Sequence, residues 1–301
     1  MKLTLKEIRQ YGNLEFLARQ LVEGFITGLH KSPYHGFSVE FAEHRLYNSG
    51  ESTRYIDWKV YAKTDRLYTK RYEEETNLRC QLVLDVSSSM YYPQSDYGKI
   101  TFSIMSAAAL AYLLQQQRDA VGLTTFASDI EQQTQIKSTP GHLHSIFLIL
   151  EKLLSEIPKE KKTSVASVID QIAEKNHKRS LVILFSDMFE TYTREDELFS
   201  ALQHLKHNKH EVLLFHVTDP ITEEYFNFEE RPYQFVDIET GEKIKIQPSM
   251  VRETFQRSMR EMLNRLKLKC HQYKIDFIEA DINKGFSAVL TSYLIKRAKM
   301  K

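Results

Sequence analysis

Three oxygen-bearing side chains follow a short apolar run near residue 80 of this 301-residue chain. The run from Leu82 to Met90, LVLDVSSSM, places Asp85, Ser87 and Ser89 at alternate positions after a stretch with the composition of a buried strand. A turn that presents alternate side chains to one point can gather these oxygens around a small volume. Carboxylate and hydroxyl oxygens suit a hard divalent cation such as Mg²⁺, Mn²⁺ or Ca²⁺.

Two further side chains could complete such a cation site. Asp187 directly follows a second apolar run, LVILFS, and Thr163 stands at the start of a helical pattern between two sheet elements. A cation held mainly by hydroxyls would keep much of its positive charge and accept water or an incoming acidic group. We therefore predict a metal site, at which an acidic side chain of a partner protein docks, formed by Asp85, Ser87, Ser89, Thr163 and Asp187.

Helix capping is the simpler interpretation of the same residues. Ser and Asp at the ends of strands often accept hydrogen bonds from the first backbone amides of a following helix, and Ser87 to Ser89 and Asp187 are placed for that role. One strand end reads Asp-x-Ser-x-Ser and another reads Ser-Asp, and this coincidence favours the metal site over simple capping.

The elements that must position these residues alternate along the chain. From about Arg79 onward, β-rich runs alternate with patterns of helical period; the runs are RCQLVLD, AVGLTTF, SLVILFS, EVLLFHV and KIDFIEA. Strands that are apolar almost throughout indicate a parallel sheet covered on both faces. We predict a doubly wound, mostly parallel α/β fold with an antiparallel edge strand within residues 128–137, whose ligands gather where the strand order reverses.

The chain divides into two parts of different composition. Residues 1–78 contain an N-terminal helix and a segment dense in charged and aromatic residues, and we predict that they form an appendage packed on the α/β domain of residues 79–301. Within that domain, residues 233–247 include QFVDIETGEKIKI, in which the Thr-Gly pair predicts the turn of a hairpin. This hairpin interrupts the alternation of helices and strands and is predicted to be a surface insertion.

The composition excludes several classes of partner. Lys and Arg number 41 against 40 Asp and Glu, so no global field attracts nucleic acid or an anionic membrane. The N-terminus lacks the apolar core of a signal peptide, and the most apolar run, Ile104 to Leu114, is too short to cross a bilayer. Cys80 and Cys270 lie far apart within apolar patterns, which favours core thiols over a disulfide. We predict a cytoplasmic protein without a transmembrane segment or a nucleic-acid partner.

The usual sequence signatures of catalysis are missing. There is no phosphate-binding loop motif and no dinucleotide-binding glycine motif. Ser87 and Ser89 lack the flanking glycines of a hydrolase nucleophile, and Asp85 lacks the second acid of an aspartyl-phosphate phosphatase. The sequence therefore favours a binding module over an enzyme.

These motifs resemble two known groups of proteins. LDVSSSM, together with Thr163 and Ser186-Asp187, resembles the metal-ion-dependent adhesion site of von Willebrand factor A domains. The stretch of residues 30–77, HKSPYHGFSVEFAEHRLYNSGESTRYIDWKVYAKTDRLYTKRYEEETN, resembles the bacterial family called Domain of Unknown Function 58. This second resemblance continues through HVTDPITEE and FVDIETGEKI and covers about residues 29–297.

The resemblance implies an A-type α/β domain that binds a divalent cation. By motif position, Ser87, Ser89 and Thr163 become direct ligands, while Asp85 and Asp187 act partly through water. The resemblance also implies a genetic association with MoxR-type AAA+ ATPases and with other A-domain proteins. An adaptor for such an ATPase is the leading hypothesis; the alternatives are a metal-dependent phosphoester hydrolase, acting through an ion-activated water, and a scaffold with a degenerate metal site.

Overall fold

The computed structural model describes residues 13–30, 44–46, 58–70, 78–93, 98–155, 164–175, 179–189, 194–239 and 241–300. The chain forms two compact units, one of Met1–Glu23 with Leu78–Lys301 and the other of Gly24–Asn77. The predicted division of the chain at residue 78, and the packing of the first part on the second, stay predictions.

The smaller unit includes a short antiparallel ribbon and one short helix among its described residues. Strand β1 (His44–Leu46) pairs with β2 (Tyr68–Lys70), and helix α2 (Trp58–Thr64) lies between them in sequence. Helix α1 (Leu14–His30) precedes them in the chain. The amide of Leu14 donates to Glu151 Oε1 at 2.8 Å, so the start of α1 is attached within the larger unit.

The larger unit is built on a sheet of six strands: β3 (Arg79–Asp85), β4 (Ala120–Phe126), β5 (Ile130–Gln133), β6 (Leu181–Ser186), β7 (Glu211–Thr218) and β10 (Asp276–Asp281). Their spatial order is β10-β7-β6-β3-β4-β5. All neighbouring pairs are parallel except β4 with β5. The predicted α/β fold with a mostly parallel sheet is confirmed, and so is the antiparallel edge strand after Phe126.

After α1, the described residues of this unit form the helices α3 (Gly98–Gln116), α4 (Pro140–Ser155), α5 (Val165–Lys175), α6 (Glu195–His207), α7 (Pro248–Gln272) and α8 (Ser287–Met300). Alternate residues of a strand face opposite sides of the sheet. On one side, Val83, Leu184 and Leu214 pack with α5, α6 and the end of α7. On the other side, α3 contacts β3 and β4 and carries α4 and α8 against it. The apolar strands are therefore covered on both faces.

Helix α3 is buried around its whole circumference. Every residue from Lys99 to Ala111 is buried, as expected for a helix that is apolar on all sides and lies between the sheet and other helices. The prediction of a buried helix from the run Ile104 to Leu114 is confirmed. None of the helices in the described ranges is long and apolar enough to cross a membrane. The cytoplasmic location stays a prediction.

The hairpin predicted within residues 233–247 is present. Strand β8 (Tyr233–Val236) pairs antiparallel with β9 (Lys243–Ile246) as a separate ribbon of two strands. The ring of Phe235 lies 5.5 Å from that of Phe226 and 5.1 Å from that of Phe228. An aromatic cluster thus anchors the hairpin to the segment that follows β7. The two cysteines, Cys80 and Cys270, are buried and free, as predicted.

The strand order reverses beside β3. The chain passes from β3 to β4 on one side, and it later returns to the other side of β3 with β6. In an open α/β sheet, the two crossovers on either side of such a reversal leave a crevice at the carboxyl ends of the strands. Asp85 is the last residue of β3, and Asp187 directly follows Ser186, the last residue of β6. Both predicted acids therefore lie at this reversal.

A buried ion pair connects the C-terminal helix to the start of the sheet. Asp119 is 1% exposed; its Oδ1 accepts from the Leu78 amide at 3.0 Å and from Arg297 Nη2 at 3.2 Å. Arg297 Nη1 donates to Asp119 Oδ2. The carboxylate therefore joins the loop before β4, the strand β3 and the helix α8.

We expect Asp119→Asn to lower the free energy of unfolding by about 1–3 kcal/mol, because it removes a charge-assisted hydrogen bond and leaves a buried amide opposite Arg297. Urea denaturation measures this loss. The exposed Glu261→Gln on α7, also an acid-to-amide change, should stay within about 0.5 kcal/mol of the original protein. Equal effects of the two substitutions would contradict this role of Asp119.

Candidate functional site

The ends of β3 and β6 are joined by a side-chain hydrogen bond. The parallel register pairs Leu84 with Phe185, which brings the next residues, Asp85 and Ser186, side by side. The Ser186 hydroxyl donates to Asp85 Oδ2 at 2.7 Å, and both side chains are fully buried. Asp187 follows directly and is 1% exposed, so two carboxylates lie close together at the reversal of strand order.

The loop after β3 turns the hydroxyls of two serines, Ser87 and Ser89, toward each other. The amide of Ser87 donates to Asp85 Oδ1 at 2.9 Å, and the hydroxyls of Ser87 and Ser89 lie 3.1 Å apart. Adjacent oxygens around an octahedral Mg²⁺, at bonds of about 2.1 Å, are separated by roughly 3 Å. The two hydroxyls therefore have a separation that suits ligands of one small cation.

Helix capping does not account for Ser87. It is the N-cap residue of the 3₁₀ turn Ser88–Tyr91, yet within the described residues its side chain makes no capping hydrogen bond. Capping accounts for part of the role of Asp187, since its Oδ1 accepts from the Phe189 amide at 3.3 Å. The simpler interpretation thus holds for one acid and fails for the serine beside Asp85.

The backbone is strained directly after Asp187. Met188 has a φ of +57°, a left-handed conformation that costs free energy for a residue other than glycine. This conformation lets the Met188 amide donate to the Ser186 hydroxyl at 3.0 Å. Strain of this kind collects at functional sites, where the surroundings hold it in place.

Thr163, the fifth predicted ligand, lies outside the described residues. Its neighbour Ser164 donates its amide to the Ala127 carbonyl at 3.0 Å, and Val86 donates its amide to the Phe126 carbonyl at 2.7 Å. The start of α5 and the loop after β3 are therefore attached to consecutive residues at the end of β4. The structure brings the other four, Asp85, Ser87, Ser89 and Asp187, to the same edge of the sheet.

The burial of two neighbouring acids leaves an electrostatic imbalance. Burial, and then the negative charge of Asp187, raise the pKa of Asp85 to about 7, against the opposing hydrogen bonds from Ser87 and Ser186. Near neutral pH, Asp85 therefore carries a proton part of the time when no cation is present. A metal ion and a proton would compete for this carboxylate.

Sequence reasoning missed Lys99, the positively charged side chain of this site. Its ammonium is fully buried and donates to Asp187 Oδ2 at 2.8 Å and to Glu223 Oε1 at 2.5 Å. Burial opposes its charge, but Asp187 and Glu223 outweigh that effect and raise the pKa of Lys99. The available signal was a lysine in the first turn of α3, a turn without any acidic residue, where a cation opposes the helix dipole.

Glu223 was missed as well, and it links a third and a fourth strand to the site. It lies in the π-helical turn Pro220–Glu224 after β7, and its Oε2 accepts from the Asp219 amide at 2.8 Å. Asp219 Oδ1 in turn accepts from Asn283 Nδ2, just after β10, at 2.8 Å. The carboxyl ends of β3, β6, β7 and β10 are thus connected through polar side chains.

The donor set is of the oxygen type. Among the described residues, no cluster of three or more His, Cys, Asp or Glu side chains is placed to hold a metal ion. Two carboxylates with neighbouring hydroxyls fit a hard cation such as Mg²⁺ and offer nothing to a soft one. A groove of about 560 Å³ elsewhere, along β10, is lined by residues such as Leu213, Leu268 and Ile278 and includes none of the predicted ligands.

The chain belongs to the family described as Protein of unknown function DUF58, whose model matches residues 43–265. Uncharacterized proteins of Mycobacterium bovis and Mycobacterium tuberculosis are 23% identical to it over 209 residues, which is 69% of this chain. The match covers 63% of the length of those relatives, so this chain spans less than two thirds of each.

Two of the solved structures with partial likeness to this chain come from Bacteroides. A conserved hypothetical protein BatB from Bacteroides thetaiotaomicron has a TM-score of 0.42 and 15% identity, over 74% of this chain and 99% of that one. An aerotolerance-related membrane protein from Bacteroides fragilis has a TM-score of 0.43 and 18% identity, over 71% and 97% of the two chains. Neither likeness bears on what the site of this chain binds.

Ser186→Ala should lower the free energy of unfolding by about 1–3 kcal/mol, because it leaves the Asp85 carboxylate and the Met188 amide with one hydrogen-bond partner fewer inside the protein. Chemical denaturation measures this loss. Ser145→Ala is the matched control, since the Ser145 hydroxyl also makes a hydrogen bond, to the Gly141 carbonyl, but is exposed, and it should change stability by less than about 0.5 kcal/mol. A neutral Ser186→Ala would remove Ser186 from the network of the site.

Proposed function

We propose that this protein is a non-catalytic, divalent-cation-dependent protein-interaction module with a von Willebrand factor A-like fold. The observation that carries the proposal is the pair of hydroxyls of Ser87 and Ser89, 3.1 Å apart, in the loop that starts at the buried Asp85. The position of this loop at the reversal of strand order, where open α/β sheets bind their ligands, supports the same function.

In the proposed site, the hydroxyls of Ser87, Ser89 and Thr163 hold Mg²⁺, or Mn²⁺ or Ca²⁺ in its place. Asp85 and Asp187 balance part of the charge, partly through water. A bound cation supplies a positive coordination point for an acidic side chain of a partner protein. The protein's own residues would hold the cation, and the acidic side chain of the partner would bind to it.

We propose a MoxR-type AAA+ ATPase as that partner, with another A-domain protein as a second possibility of the same kind. The resemblance of residues 29–297 to Domain of Unknown Function 58 supports this choice. A partner that presents a carboxylate fits a site whose cation is held mainly by neutral hydroxyls. The protein would then act as an adaptor that recruits substrates to the ATPase.

A metal-dependent phosphoester hydrolase has less support. It would need a free general base beside the cation, to activate a water molecule. Two charged groups near Asp85 are engaged: Lys99 donates to Asp187 and Glu223, and Asp187 accepts from both Lys99 and Phe189. A scaffold with a degenerate metal site would differ from the proposed module because Mg²⁺ or Mn²⁺ would not stabilise it.

We expect Mg²⁺ or Mn²⁺ to stabilise the protein, because a ligand that binds only the native state adds about 2.7 kcal/mol at a hundred times its Kd. This corresponds to a rise in Tm of roughly 5–10 °C for a domain of this size. Asp85→Asn should abolish the rise, whereas Glu261→Gln, a change of an exposed acid on α7, should keep it. Thermal unfolding with metal and with chelator measures the shift, and a Tm indifferent to metal would leave only the scaffold.

Binding of a purified MoxR-type ATPase from the same organism should require the cation. We expect a complex in Mg²⁺ that is lost with chelator and with Asp85→Asn, because both remove the coordination point for the partner's acid. Size-exclusion chromatography measures the complex. A phosphoester turnover that needs metal and disappears in Asp85→Asn would replace the adaptor by the hydrolase.

A further inference from the structure

The ammonium of Lys99 is held inside the protein by groups from several elements. Asp187 Oδ2 and Glu223 Oε1 accept its hydrogen bonds, and the side chain has no exposure to solvent. The rings of Phe189 and Tyr92 lie 4.7 Å and 6.0 Å from the nitrogen and add cation–π attraction. Because the ammonium is buried against two acids, its positive charge is part of the site.

The start of α3 fixes where that charge lies. The amide of Gly98 donates to the Pro93 carbonyl and that of Lys99 to the Tyr92 carbonyl, each at 3.2 Å. A Cβ on residue 98 would collide with Pro93 and would lie 2.9 Å from the Tyr92 carbonyl, so only glycine allows this close approach. The first turn of the helix thus delivers Lys99 to Asp187 with little freedom.

Lys99 changes the charge that a cation in the site would meet. Asp85, Asp187 and Glu223 are three acids, and Lys99 is the basic group that contacts two of them. Both oxygens of Asp187 already accept hydrogen bonds, Oδ1 from Phe189 and Oδ2 from Lys99. Asp187 therefore offers less negative potential to a cation than its ionised carboxylate would offer alone.

We propose that Lys99 is a positioning residue that determines the ligand preference of the metal site. By neutralising Asp187, it weakens the binding of the cation itself and leaves that cation more positive toward a carboxylate ligand. The inference rests on the proposed function and deepens it, since it names the group that makes an anionic side chain the preferred partner. Glu223 limits the effect, because it shares the ammonium with Asp187.

The two effects have opposite signs, which separates this role from a merely structural one. Loss of a structural support would weaken both the binding of the cation and the binding of its carboxylate ligand. Loss of a neutralising charge strengthens the binding of the cation and weakens the binding of the carboxylate. The test therefore needs both affinities: that of Mn²⁺, from calorimetry, and that of acetate as the carboxylate probe, from its displacement of water on bound Mn²⁺, followed by water proton relaxation.

The decisive variant is the double substitution Lys99→Met with Glu223→Gln. It removes the ammonium together with the acid that would otherwise stay buried alone, so the net formal charge of the site does not change. We expect Mn²⁺ to bind about tenfold tighter, and acetate about tenfold weaker, than in the original protein. The same pair of changes at exposed positions, Lys152→Met with Glu261→Gln, should alter neither affinity.

Glu223→Gln alone keeps the test open if the double variant does not fold. It leaves the whole charge of Lys99 to Asp187, so Mn²⁺ should bind a few-fold weaker and acetate a few-fold tighter. Unchanged affinities, or two affinities that move together, would overturn the role of Lys99 while the metal site stands. Failure of the original protein to bind Mn²⁺ at all would overturn the proposed function and this inference with it.

Discussion

The structure depends on how it accommodates negative charge buried at the end of a parallel sheet. Asp85 and Asp187 are both at most 1% exposed and lie at the carboxyl ends of neighbouring strands. Water cannot solvate them there, so the surrounding groups must offset the cost of burial. The Ser186 hydroxyl, the Ser87 amide and the Lys99 ammonium do so in part, and the pKa of about 7 for Asp85 shows that an imbalance remains.

This requirement explains why so much of the unit converges on one edge. Lys99 comes from the first turn of α3, Glu223 from the turn after β7, and Asn283 from the segment after β10. Each of these elements contributes at least one polar group to the network, so the carboxyl ends of the strands are held in one arrangement. A cation bound among them would be sensitive to the position of every contributing element.

The segment after β7 also connects the site to the hairpin insertion. Glu223 contacts Lys99, and a few residues later the carbonyls of Tyr225 and Phe226 accept hydrogen bonds from Gln256 and Arg252 of α7. The ring of Phe226 then packs on Phe235 of β8. The hairpin is therefore attached to the same segment that delivers Glu223.

The fold and part of the site could be predicted, because their causes are local in the sequence. Apolar strands buried on both faces identified the parallel sheet, and the polarity of Ser128 to Lys137 identified its edge. Asp85, Ser87 and Ser89 lie in one short loop, so their spacing in the sequence was enough to predict that they meet. Lys99 was not predictable in this way, since a lone lysine at the start of an apolar helix gives no sign of its partners.

The sequence by itself determined the order and type of the elements and the residues of the loop after β3, because strand burial and local spacing are properties of neighbouring residues. Only the tertiary structure decided the charge balance of the site. Lys99 meets Asp187 across 88 positions and Glu223 across 124. Such contacts arise from the packing of α3, β6 and the turn after β7 against one another, and no local pattern specifies them.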